Sequence, residues 1–236
     1  MTIRLALAAV PVALTAIVFA QAPQDRGAAI KEALARNQAA LRQYSWTETT
    51  TVTLKGEVKK QEQKQCSYGA DGKVQKTPLP GAAPAKEQSS DGGGRRGGRV
   101  AKAIVKEKVD DMKDYIEKAV ALIHQYVPPD AQKIQAAQGA GNVDVQPSGA
   151  TTMLTVKNYV KAGDSLALGF DPTAKAMRSF AVKSYVEKPK DDDLSLAVTF
   201  GSLADGTSYP EKIVLDVTAK KLQATITNSG YKKGGA

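Results

Sequence analysis

Between Gly141 and the C-terminus the chain alternates apolar and polar side chains in short runs separated by turn residues, and no other feature limits its fold so strongly. Leu194, Leu196, Val198 and Phe200 alternate with Ser195, Ala197, Thr199 and Gly201. Ile213, Leu215 and Val217 repeat the pattern, as do Leu222, Ala224 and Ile226. A period of two places every second side chain on one face of a β-strand. The sequence therefore predicts strands over 151–160, 165–170, 177–186, 194–200, 212–217 and 222–228. The links are short, among them Lys161-Ala162-Gly163-Asp164, Asp171-Pro172-Thr173 and Ala204-Asp205-Gly206. Such links join antiparallel neighbours, because a parallel crossover needs about a dozen residues or more. One apolar face and one wet face follow.

The first half supplies more strand and a cover. Residues 44–54 are rich in β-branched and aromatic side chains. Lys55-Gly56-Glu57 turns the chain into a strand over 58–68, and Asp71-Gly72 marks a hairpin into a short strand over 73–77. Helical spacing runs over 25–44 and, more clearly, over 100–127. There Val105, Val109, Met112, Ile116, Val120, Ile123 and Val127 form one apolar stripe. Pro128-Pro129 stops that helix, and Asp130 is placed to cap a shorter one ending near Gln138. Residues 78–99 hold Pro78, Pro80, Pro84 and a Gly/Arg run and read as a flexible loop. Helices laid on the apolar face of a sheet bury both, and a sheet of this size tends to curl. The expectation is an α+β fold, a large curled antiparallel sheet forming an open barrel covered by amphipathic helices, as one domain over 21–236. A hollow under such a cover would be bounded by Val109, Met112 and Ile116 on the helix and by Leu196, Val198 and Phe200 on the sheet.

Residues 1–20 read as a signal peptide. Arg4 precedes an apolar run from Leu5 to Ala20, interrupted by Thr15 and Pro11, with Val18 and Ala20 set for cleavage. The run is short for a membrane-spanning helix. The expected product is periplasmic or secreted, begins near Gln21, and does not span the membrane. Its formal charge falls from +9 to +8 with the loss of Arg4. A basic exported protein meets anionic envelope surfaces rather than nucleic acid. Arg95, Arg96 and Arg99 are the candidate contacts, and no aromatic is interleaved with them as nucleic-acid binding would require. Cys66 is the only cysteine, so no intramolecular disulfide is possible, and it reads as a small apolar strand residue.

The order of these parts, with the Leu54-Lys55-Gly56-Glu57-Val58 turn and the Tyr68–Lys73 hairpin, resembles the open-barrel carriers of the bacterial lipoprotein-localisation system. It also resembles other exported bacterial proteins with a Tyr-Gly-x-Asp-Gly-Lys turn. The resemblance implies a fold with a hydrophobic hollow and does not identify its ligand; a lipid or an acylated protein is the candidate partner.

Catalytic patterns are few. Gly163-Asp164-Ser165-Leu166 spells the motif of a serine esterase family, but the single histidine, His124, lies upstream of it. A serine without a base is a weak nucleophile. His124 reads as a partly buried structural residue at the edge of the helix stripe. One His and one Cys do not make a zinc site. Asp191-Asp192-Asp193 lacks the spaced oxygens of a calcium loop and reads as a solvated acidic turn, and Asp110-Asp111 as a solvated helix face. The sequence thus points to a non-enzymatic binding protein with no cofactor and no metal, or to an envelope adaptor with a solid core that acts through its basic surface.

Overall fold

The structure is a computed structural model that describes residue 32, residues 35–79 and residues 98–234, with the backbone alone for 98–110. The signal peptide assigned to 1–20, most of the loop expected at 78–99, Arg95 and Arg96 lie outside the described residues. Arg99 is described in backbone only. A helical segment over 35–41 leads into β1 (Tyr44–Leu54), β2 (Glu57–Tyr68) and β3 (Val74–Pro78). Two helices follow, α1 (Gly98–Ile123) and α2 (Ala131–Gly139). The rest is a run of strands: β4 (Val143–Ser148), β5 (Thr151–Lys157), β6 (Ser165–Asp171), β7 (Ala176–Tyr185), β8 (Asp193–Ser202), β9 (Ser208–Val217) and β10 (Leu222–Lys233).

All ten strands form one antiparallel sheet in the order β3-β2-β1-β10-β9-β8-β7-β6-β5-β4. Every pair of consecutive strands is adjacent in space except β3 and β4, and the one pairing of non-consecutive strands among those described is β1 with β10. β3 and β4 are free edges, so the barrel is open, as the alternating sequence predicts. Tight turns set the register. Lys55 (φ 54°) and Gly56 (φ 83°) both sit in the left-handed region and join Leu54 to its partner Glu57, the two-residue geometry that matches strand twist.

Register also lines up the covered face. Val156 pairs with Leu166, Leu166 with Val182, Val182 with Leu196, Leu196 with Leu215, Leu215 with Ala224 and Ala224 with Val52. This row crosses seven strands, every member is buried, and all belong to one core. On β2 the row ends at Lys60, the partner of Val52. The covered face changes character there. Glu48 receives both its contacts from Lys76 at 2.7 Å, and Glu62 lies between Lys60 at 2.7 Å and Lys64 at 3.2 Å.

The helices meet the apolar part. α1 buries Tyr115, Ala119 and Leu122, and Tyr126 and Val127 continue the contact beyond its end. The expected stripe is thus one residue out of phase: Met112, Ile116, Val120 and Ile123 are half-buried on its flank. α1 also stops at Ile123, four residues short of expectation. The chain tightens there into three-residue turns, Gln125 N–H to Leu122 O and Tyr126 N–H to Ile123 O, ahead of the two prolines that exclude helical geometry. α2 is capped as expected, with Asp130 Oδ1 accepting from the Gln132 N–H at 2.8 Å. β4 is a strand the sequence did not announce. Its Pro147 is tolerated because β4 is an edge strand.

Leu166 sits within the row with no exposed surface. Leu166→Ala is expected to destabilise the protein by about 2–5 kcal/mol in urea denaturation followed by circular dichroism. A loss below about 1 kcal/mol would mean that this face is not a packed core.

Candidate functional site

Two buried tyrosines fasten α1 to the sheet. The Tyr115 hydroxyl donates to Asp192, in the loop between β7 and β8. The Tyr126 hydroxyl donates to Asp164 Oδ2 at 2.5 Å, with Ser184 Oγ 2.9 Å from the same oxygen. Asp164 is held by its own loop, accepting the N–H groups of Tyr159 at 2.6 Å, Val160 at 3.0 Å and Lys161 at 2.8 Å. Asp192 accepts the Glu187 N–H at 2.9 Å. Burial, reinforced by the carboxylate each one faces, holds both phenol protons well above the usual tyrosine range.

Two expectations are revised. The acidic run 191–193 is not simply solvated: Asp192 is buried, and Asp191 and Asp193 beside it are exposed. His124 is exposed rather than partly buried. The Asp164 of the esterase-like motif is committed to backbone donors, and Ser165 is half-buried at the start of β6. Cys66 is fully buried, as expected of a small apolar residue, and burial pushes its thiol up to about 11, with Glu48 adding to the effect. Such a thiol is a poor nucleophile. Among the described residues no cluster of three or more His, Cys, Asp or Glu could hold a metal ion.

Between the two tyrosine anchors and the far end of the sheet, α1 crosses β9 and β10 and leaves a void of about 10 Å³. Ile116 and Ala119 line it from the helix, with the Tyr115 ring, and Leu215, Val217, Leu222 and Ala224 from the sheet. About one water would occupy that volume, and no buried polar atom there asks for one. Of the residues named for a hollow, Ile116 borders this void. Leu196 and Val198 lie in the core of β8 beside it, Phe200 is half-buried at its margin, and Met112 is half-buried on α1. Val109 falls in the part of α1 described by backbone alone. Tyr115 and Ala119 were missed because a stripe built only from aliphatic residues passes beside them. The four sheet residues were already legible as the apolar members of their strands.

No protein-family model and no curated protein matches the chain. Among solved structures it is similar to a LolA superfamily protein from Nitrosomonas europaea, with 10% identity over 87% of this chain and 94% of that one and a TM-score of 0.37. It is likewise similar to a DUF1329 family protein from Desulfovibrio piger, with 10% identity over 87% of this chain and 92% of that one and a TM-score of 0.36. No helix among the described residues is long and apolar enough to cross a membrane.

The tyrosine anchors carry a pH signature. Tyr115 and Tyr126 keep their protons in the folded state at pH values where an unfolded tyrosine, with a pKa of about 10, loses its own. Their contribution is therefore intact below about pH 10 and is lost as pH rises beyond it. Tyr126→Phe removes a hydrogen bond to a carboxylate and is expected to cost about 1.5–3 kcal/mol near neutral pH. The same variant should lose stability less steeply between pH 9.5 and about 11.5. Urea midpoints measured across that range check both, and identical slopes in the two proteins would show that Tyr126 does not titrate with unfolding.

Proposed function

We propose that this chain is an exported, non-enzymatic carrier that holds an acyl chain or similar apolar ligand between α1 and the covered face of its sheet. One observation carries the reading. The row from Val156 to Val52 makes an aliphatic floor seven strands wide, and its helical cover meets β9 and β10 across walls of Ile, Ala, Leu and Val with a void already between them. Concave, mostly apolar surfaces are the usual small-molecule sites. A void of about 10 Å³ is too small for an acyl chain, so this reading requires α1 to move off the sheet for loading. The bound chain would then contact Val109, Met112 and Ile116 on the helix and Leu196, Val198 and Phe200 on the sheet. Export rests on the signal-like segment 1–20, with maturation near Ala20.

The smallness of the void supports one alternative: an envelope adaptor with a solid core, acting on anionic surfaces through its basic exterior, including Arg95, Arg96 and Arg99. Native mass spectrometry of protein purified from an exporting host, followed by solvent extraction, separates the two. The carrier reading expects a co-purifying lipid of defined mass and uptake of a fluorescent fatty acid. Protein that is free of lipid, takes up no probe and sediments with envelopes in a salt-sensitive manner would overturn it in favour of the adaptor.

A further inference from the structure

On the other flank of α1 from the void, the surface opens into a groove of about 370 Å³, within the size range of small-molecule sites. Its floor is apolar: Ala121 and Leu122 from α1, Val160 after β5 and Val186 after β7. Its rim is polar, with Lys118 and Gln125 on the helix and Lys161 on the loop that Asp164 organises.

Lys161 is the informative residue. It is half-buried, its Nζ donates to the Tyr185 carbonyl and lies 3.4 Å from the Val186 carbonyl, and it sits 3.8 Å from the centre of the Tyr185 ring. No ion pair to a carboxylate joins it among the described residues. The nearby Asp164 spends its oxygens on three backbone N–H groups and Tyr126. Burial accordingly weakens its hold on its proton. An ammonium has three donors, so two carbonyls leave one for an occupant of the groove. Lys118 adds a second positive charge. Its partner Glu187, at 2.6 Å, is more than half exposed, as is Lys118 itself, and an exposed pair of this kind opens at little cost. Two ammonium groups border an aliphatic floor: Lys118 is paired with Glu187, and Lys161 feels the charges of Asp164 and Asp192 without an ion pair to either. A neutral apolar occupant would desolvate Lys161 further with nothing in return, whereas an anion supplies the missing partner.

We infer that this groove is a second binding site, specific for a single-chain amphiphile whose acidic head group is held by Lys161 and Lys118 while its alkyl part lies on Ala121, Leu122, Val160 and Val186. The groove and the void lie on different flanks of α1 and have no lining residue in common, so a substitution in one leaves the lining of the other unchanged.

Isothermal titration of the mature full-length protein with n-octyl phosphate, octanoate, n-octanol and inorganic phosphate tests the site. Octyl phosphate and octanoate are expected to bind, with octanol and inorganic phosphate at least tenfold weaker. Lys161→Met should weaken octyl phosphate at least tenfold, and Ala121→Trp, at an exposed position where folding is not at stake, should abolish its binding. Octanol binding as tightly as octyl phosphate would overturn the role of the lysines. Inorganic phosphate binding equally well would reduce the site to a patch of charge. Unchanged affinity in Ala121→Trp would place the ligand elsewhere and overturn the groove.

Discussion

Burying a carboxylate costs several kcal/mol unless hydrogen bonds replace its water. Asp164 is buried with four of them, three from its own loop and one from the tyrosine just beyond α1. The three local bonds would form in any structure that kept this loop. The fourth reaches across to a different layer and makes the position of the helical cover conditional on it. Tyr115 and Asp192 repeat the arrangement nearer the middle of α1. Hydrophobic contact presses a helix onto a sheet without fixing where along it the helix lies. Directional bonds between buried partners supply that register, and every apolar contact beneath α1 inherits it.

The face so covered is not uniform. The row from Val156 on β5 to Val52 on β1 is aliphatic, and farther along β1 and on β2 and β3 the face becomes ionic, with Glu48 of β1 against Lys76 and Glu62 between two lysines. The buried charge of Glu48 is tolerated because Lys76 lies within hydrogen-bonding distance of both its oxygens. The helices lie on the aliphatic half, where α1 and the residues after it add Tyr115, Ala119, Leu122, Tyr126 and Val127 to the core.

Much of this was legible in the sequence, and the failures share a cause. Leu194, Leu196 and Val198 alternate so plainly with polar neighbours that β8 could be placed nearly to the residue. The phase of α1 could not, because Tyr115, Ala119 and Tyr126 carry little hydropathy, and Val109, Met112 and Ile116 beside them carry more. Tyrosine is buried there for its hydroxyl and alanine for its small size, and neither reason registers in an apolar stripe. β4 went unseen because its two valines share six residues with an aspartate and a proline. Asp192 looked solvated because an acidic run is usually so, and only the tyrosine opposite, 77 residues away in sequence, removes it from water. Residues chosen by their local neighbours were legible; residues chosen by a distant partner were not.

One feature of the strand order bears on how the molecule is made. Thr49 and Thr227 are direct partners, so β1, the first of the described strands, finds its second neighbour only when the last of them arrives. Closing so long a loop is slow. Until then β1 to β3 are a small isolated sheet with one bare hydrogen-bonding edge, the kind of surface that recruits other chains. Synthesis is therefore the vulnerable period of this protein's life. For the exported protein proposed above, the same delay has a use: a sheet that waits for its final strand leaves the polypeptide thin enough to thread.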